Sequence, residues 1–264
     1  MPGRDDRGEW IVKIAFDEYP DLCVNEWITM QWARGVGFDV PEIELRALRD
    51  LVGAPHEADP ATPVFVIRRF DRAREHGPHG PKQTSKTRIH QEDFQQIVGR
   101  QPSKKYDDIT YEGLAVLAAR IVGHDAYEEV LRRLVFVVAS GNNDAHMKNW
   151  SVIYPDGIRA ELSPLYDQVF TAQWPAFAVQ MALKLGGTKE FAAVTLARFR
   201  ELARRVWESP EAAEAIVTET VVRTATAWAD VREHPAMTVA YRNALRRHWQ
   251  KEPLLQPHTS RLEP

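Results

Sequence analysis

The chain has 264 residues, 44% hydrophobic and 27% charged, a composition ordinary for one large or two small globular domains with a sizeable core. Its formal charge of -3 supplies no overall drive toward nucleic acid or an anionic membrane, so a polyanion has to meet a local site. A single cysteine, Cys23, excludes an intrachain disulfide and a thiolate metal cluster, and no apolar run approaches the ~18 residues of a membrane span.

The first residues lack the apolar core of a signal peptide, so the sequence predicts a soluble, cytoplasmic protein without membrane contact. Residues 10–15 make a short β-type run, followed by turn-like residues 17–21. In residues 25–37, Trp27, Met30, Ala33 and Arg34 recur at helical spacing. Residues 40–45 and 63–70 predict two further strands across a Gly, Pro and Ala-rich stretch, so the N-terminal part reads β-α-β-β.

Residues 72–90 place Arg72, Arg74, Lys82, Lys86 and Arg88 among two Pro and two Gly, which predicts a flexible cationic connection and a lobe boundary. The expected division is therefore 1–71 and 72–264. Beyond it, Leu114, Leu117, Ala118, Ile121 and Val122 form one helical stripe, and Val130, Leu131, Leu134, Val135 and Val138 another, which delivers the chain to Asp144. Residues 150–154 and 158–162 flank the turn signal Pro155-Asp156-Gly157 and predict a hairpin. From residue 194 onward the pattern is helical, with long segments at 209–233 and 236–250 and no internal repeat.

Chemistry concentrates in Gly-Asn-Asn-Asp144-Ala-His146-Met-Lys-Asn149. An Asp and an Asn five positions apart can share one nucleotide site, the Asp accepting the proton of an attacking hydroxyl and the Asn binding magnesium. Phosphoryl transfer also needs a cation on the phosphates and a second oxygen ligand for the metal. Lys13 in the first strand, held by Glu26 on the following helix, fits the first need, and Asp167 fits the second together with Asn149. His146 lies between the two key residues and can turn toward phosphates or toward backbone carbonyls. Taken singly, each residue has an ordinary role: a turn, an edge lysine, a helix first-turn acid. Their order along the chain is what points to a site.

These segments resemble the HipA family of bacterial toxin-antitoxin serine/threonine kinases. The resemblance rests on the segment just quoted, on Leu-Ser-Pro-Leu-Tyr166-Asp167, and on Val66-Ile-Arg-Arg-Phe70-Asp-Arg72. Residues 25–41, 89–94, 102–106 and 181–187 agree as well, the last like a later loop of the family, so that roughly residues 9–250 are covered. It implies an α+β, two-lobed, protein-kinase-like fold, with a small mixed N-lobe, a mainly helical C-lobe, and ATP and Mg2+ between them. Asp144 would be the catalytic base, Asn149 and Asp167 the metal ligands, and Lys13 the phosphate contact. Phe70 and the hinge backbone would hold adenine, with Gln91, His146 and Tyr166 nearby.

The implied acceptor is a protein such as an aminoacyl-tRNA synthetase, with growth arrest as the outcome. The implied partner is an antitoxin of HipB type, through which DNA is met only indirectly. One departure stands out: family members carry a Gly-rich phosphate loop ahead of the strand of Lys13, where this sequence has only residues 1–9. That predicts an incomplete N-lobe, explained by a start site placed too late, by a separate N-terminal subunit that supplies the strand, or by a degenerate kinase that binds with little turnover. The rival expectation is thus a truncated or split pseudokinase that binds an antitoxin, a DNA-binding repressor or a small complementary subunit. A small-molecule kinase of aminoglycoside or choline type fits less well, because those relatives place a His just before the catalytic stretch and follow it with a different metal segment. Finally, the cationic connection at 72–90 is expected either to be a solvated linker or to touch a synthetase surface.

Overall fold

Alternation in Val64-Phe65-Val66-Ile67 sends one pair of side chains to each face of a strand, and both pairs are buried. In the computed structural model, which describes residues 8–15, 18–53, 59–72, 75–77, 80–82, 88–99, 109–174, 177 and 180–262, that strand is the centre of the N-terminal sheet. Strands β1 (Trp10–Ile14), β2 (Ile43–Ala47) and β3 (Pro63–Arg68) run antiparallel in the order β1-β3-β2, with Lys13 and Leu45 both opposite Phe65. Phe65 and Ile67 join the main core with helix α1 (Leu22–Val36), while Val64 and Val66 form a smaller cluster with Leu48, Trp10 and Val12. The predicted β-α-β-β order is thus observed.

Helix α1 belongs to both lobes. Its Trp32 ring meets Phe136, Trp228 and Trp249 at centroid distances of 5.1, 5.2 and 6.1 Å, and its indole N–H donates to the Thr224 carbonyl. The helix stops at Gly37, whose φ of 105° lets its N–H turn back to the Ala33 and Arg34 carbonyls.

The predicted connection at 72–90 is partly structured, because β4 (Glu75–Gly77) pairs with β5 (Gly80–Lys82). Arg74, Lys86 and residues 102–106 lie outside the described residues. Strand β6 (His90–Asp93) leads into the short helix α2 (Phe94–Ile97), followed by α3 (Tyr111–Ile121) and α4 (His124–Ala139). The predicted hairpin is present as β7 (Ser151–Tyr154) and β8 (Glu161–Leu162), but β6 pairs along β7 and makes a three-stranded sheet. Residues 181–187, expected as a loop, are instead strand and turn: β9 (Gln180–Leu185) and β10 (Thr188–Glu190) form a hairpin closed by Gly186 and Gly187, with φ of 58° and 85°. Helices α5 (Leu196–Arg205), α6 (Pro210–Val231) and α7 (Val239–Trp249) complete the second lobe. Among the described residues, no helix is long and apolar enough to cross a membrane.

Candidate functional site

Lys13 is the penultimate residue of β1, and its ammonium sits between two carboxylates, 2.6 Å from Glu26 Oε1 and 2.6 Å from Asp167 Oδ1. Glu26 is buried in α1, and Asp167 comes from the segment after β8. Burial works against the Lys13 ammonium, but the two carboxylates more than offset it and hold its pKa above the ordinary lysine range. Burial likewise pushes the Glu26 carboxyl up to about 7, against the pull of Lys13. Next to Glu26, Asn25 reaches the post-Asp167 segment: its Oδ1 accepts from Phe170 N at 2.8 Å, and its Nδ2 donates to Phe170 O at 3.1 Å and Gln173 Oε1 at 2.7 Å. One turn of α1 thereby fixes both Lys13 and the segment that carries Asp167. Asp167 itself has a φ of 57°, a left-handed conformation that Asp tolerates better than most residues.

The loop at 140–149 is held through its carbonyls. Ala145 O accepts from Tyr111 Oη at 3.2 Å and Trp150 Nε1 at 3.3 Å, Gly141 O from Thr171 Oγ1 at 3.0 Å, and Asp144 O from Asn149 Nδ2 at 2.9 Å. Asn142 Oδ1 accepts from Asp144 N at 3.1 Å, while its Nδ2 donates to Gln168 Oε1 at 3.2 Å and Asp167 O at 3.4 Å. The Asp144 carboxylate, 49% exposed, is left facing the cavity. At Gly141, with a φ of 55°, a Cβ would stand 2.9 Å from the Phe170 ring, so the two loops touch at a residue without a side chain.

A cavity of 560 Å³ is lined by Lys13, Glu26, Asn142, Asp144, Asn149 and Asp167, and on its far wall by Phe177, Gln180, Met181, Ala182 and Lys189. A second, of 260 Å³, is lined by Phe70, Gln91, Tyr166 and the backbone region 67–71, and shares Lys13 and Asp167 with the first. The Phe70 and Tyr166 rings are 5.3 Å apart. A relay of hydrogen bonds runs from Gln91 Nε2 to Ser151 Oγ at 3.1 Å, to Tyr166 Oη at 2.6 Å, and on to Lys148 O at 2.8 Å, tying the second cavity to the loop.

Eight of the nine predicted site residues thus line these two adjoining spaces. His146 lines neither: it is buried, with Nε2 3.6 Å from Asp144 Oδ1. Arg72 turns its guanidinium onto Asp71, 2.5 Å away, and Asp71 is also held by a two-pronged contact from Arg69 at 2.8 and 2.7 Å.

Among the described residues, no group of three or more His, Cys, Asp or Glu side chains is arranged to hold a metal by itself. The donor set nevertheless fits magnesium, which takes one or two protein oxygens and completes its shell with phosphate and water. Asn149 spends its Nδ2 on Asp144 O, which leaves Oδ1 as the atom for a hard cation, near the Asp167 carboxylate in the same cavity. Sequence reading missed Asn25, Asn142 and Thr171, whose partners lie 145, 26 and 28 to 30 residues away.

The family described as HipA-like C-terminal domain matches residues 3–228. Y4dM of Sinorhizobium fredii, provisionally named a kinase, is 32% identical over 253 residues, 94% of this chain and 58% of that protein. The serine/threonine-protein kinase toxin HipA of Shewanella oneidensis is 27% identical over 188 residues, 65% of this chain and 39% of that protein. The chain therefore spans about half the length of these curated relatives. Among solved structures, Shewanella oneidensis HipA, in complex with HipB and operator DNA, has a TM-score of 0.73 at 21% identity, covering 96% of this chain and 58% of that one. The Helicobacter pylori proinflammatory kinase CtkA has a TM-score of 0.55 at 14% identity, covering 96% and 88%. Both likenesses are of fold, the α+β kinase-like architecture described above.

Proposed function

Because this chain belongs to the HipA-like C-terminal domain family, we propose that it is an ATP-dependent serine/threonine protein kinase whose phosphoryl transfer takes place at Asp144. The observation that carries this reading is the Lys13 ammonium bridging Glu26 and Asp167 at the mouth of the cavity that also holds Asp144 and Asn149. In this reading Glu26 keeps its hold on Lys13 while phosphate oxygens replace Asp167 at the ammonium, and adenine lies against Phe70 and Tyr166. Asn149 Oδ1 and the Asp167 carboxylate would hold Mg2+, which would supply charge neutralisation for the transferred phosphate. Asp144 takes the proton of a serine or threonine hydroxyl as that oxygen attacks the γ-phosphorus. The bond from phosphorus to the β,γ-bridging oxygen breaks, and ADP leaves.

For the acceptor and the partner, the supports are the resemblance to toxin kinases and the solved relative bound to HipB and operator DNA. They favour an aminoacyl-tRNA synthetase as acceptor and an antitoxin of HipB type as partner. The test is transfer of labelled γ-phosphate from Mg-ATP to purified synthetases, with Asp144→Asn as control. Strong labelling by the native chain alone supports the reading, and equal labelling by both proteins rules out the role given to Asp144. Tight Mg-ATP binding without transfer to any acceptor, with or without a small complementary subunit, would favour a binding module instead.

A further inference from the structure

The last turn of an α-helix leaves carbonyls without partners inside the helix, and how they are satisfied sets the direction in which the chain departs. At the end of α4, four and three residues before the cavity-lining Asn142, two consecutive carbonyls accept from consecutive residues of α7, Val138 O also accepting from Gly141 N at 3.2 Å. His248 Nε2 lies 2.7 Å from Val138 O, and Trp249 Nε1 donates to Ala139 O at 2.8 Å. Both partners are 110 residues away in sequence and buried. For His248 to hold a carbonyl, its Nε2 must carry the proton, and burial, which lowers its pKa to about 4, keeps the ring neutral in that tautomer.

The same imidazole touches the other two functional segments. Its ring is 6.0 Å from that of Phe170, the residue clamped by Asn25 behind Asp167. It is also perpendicular to Phe191 at 5.3 Å, and Phe191 begins the turn that follows β10, which supplies Lys189 to the cavity beside Gln180, Met181 and Ala182 of β9. One side chain therefore contacts the exit of α4, the Asp167 segment and the root of the β9–β10 hairpin.

We infer that His248 is a positioning residue for phosphoryl transfer: its Nε2–H bond to Val138 O, with its ring wedged between Phe170 and Phe191, sets where Asp144 stands relative to Asp167. The inference rests on the kinase reading for its rate consequence, but the anchoring itself can be read without turnover. A misplacement of about 1 Å at a reacting group can cost two orders of magnitude in rate, so a buried anchor outside the cavity is enough to act on kcat.

The experiment compares His248→Leu, which fills the space but cannot donate, with His248→Gln, whose Nε2 can take the place of the ring nitrogen, in the full chain. For γ-phosphate transfer, His248→Leu should lower kcat at least about tenfold with KM for Mg-ATP within about twofold, and His248→Gln should recover most of that loss. Hydrogen exchange, measured in parallel, should show amides of residues 140–149 in His248→Leu exchanging about tenfold faster, with α3 and α6 unchanged. Unchanged exchange and unchanged kcat in His248→Leu would overturn the inference. So would a Gln variant that melts like the native chain yet is as impaired as the Leu variant. If the native chain transfers no phosphate at all, the kinase reading fails by itself. Exchange then decides the anchor: faster exchange confined to 140–149 upholds it, and unchanged or uniformly faster exchange sinks it.

Discussion

The two walls of the cavity are held by different kinds of force. On one side Lys13, Glu26 and Asp167 are joined by charge, at 2.6 Å and with Lys13 and Asp167 about a third exposed. On the other, the loop of Asp144 is fixed by neutral hydrogen bonds from Tyr111, Trp150, Thr171, His248 and Trp249 to its carbonyls and those of the preceding turn, mostly in the buried interior. A charged partner can be traded for another when a phosphate arrives. Backbone carbonyls bound by buried groups have no such alternative, so they make a fixed template for the exchange proposed above.

The sharpest way to break this contrast is Asp144→Asn. The Asp144 carboxylate faces the cavity, its backbone N and O carry the loop contacts, and Asn keeps an oxygen toward His146 Nε2, so the amide should lower transfer by a factor of about 100 to 10,000 with little change in thermal stability. A large loss of melting temperature would mean that the carboxylate is part of the scaffold. Next in size is the pH response of Glu252, buried below His248, its Oε1 3.7 Å from Nδ1. Burial raises its pKa from 4.5 to about 7, so the folded chain binds this proton more tightly than the unfolded one. The stability it contributes is complete below pH 4.5 and lost as pH rises to about 7. Urea titrations of the native chain and Glu252→Gln between pH 4.5 and 8 should diverge by on the order of 3 kcal/mol across that window. Parallel curves would show that the scaffold side is not insulated from charge.

Asn25→Ala should cost about 2 kcal/mol in the same titration at fixed pH, because it strands the Phe170 N–H and carbonyl inside the protein. It should also weaken Mg-ATP binding through the displaced Asp167; a stability loss with unchanged nucleotide affinity would separate the two roles of α1. Smallest is the coupling between Lys13 and Asp167, under about 1 kcal/mol in a double-mutant cycle because both groups are partly solvated. It should vanish at saturating Mg-ATP if the ammonium has changed partners, and persistence would contradict the exchange.

Lys13, Glu26, Asp144, Asn149 and Asp167 were legible in the sequence because each belongs to a short local pattern and their order along the chain is informative. Asn25 and Asn142 were not, since an asparagine near a helix start or in a turn already has a local explanation, and its partners here are far away in the chain. The same holds for β6, whose pairing with β7 links Gln91 to Ile153 across a helix-rich stretch. The β9–β10 hairpin was missed for another reason: Gly186-Gly187 is a two-residue turn signal in plain view, but the strands beside it are short and one is largely buried, so period-two alternation is weak. His146, expected to turn toward phosphates or toward backbone carbonyls, lies buried, with Nε2 3.6 Å from the Asp144 carboxylate that lines the cavity.

Gly141 gives this arrangement an unusual vulnerability. Its missing Cβ lets the Phe170 ring and the Ala172 methyl close to within 2.9 and 3.1 Å of where that carbon would be. A single methyl group at this point would change no charge, donor or acceptor, yet it would act as a spacer between the segment of Asp144 and the segment of Asp167. The spacing between the segments of Asp144 and Asp167 is therefore encoded in an atom that is not there, and any substitution at position 141 should be costly, because a left-handed backbone, φ 55°, adds strain to the lack of space.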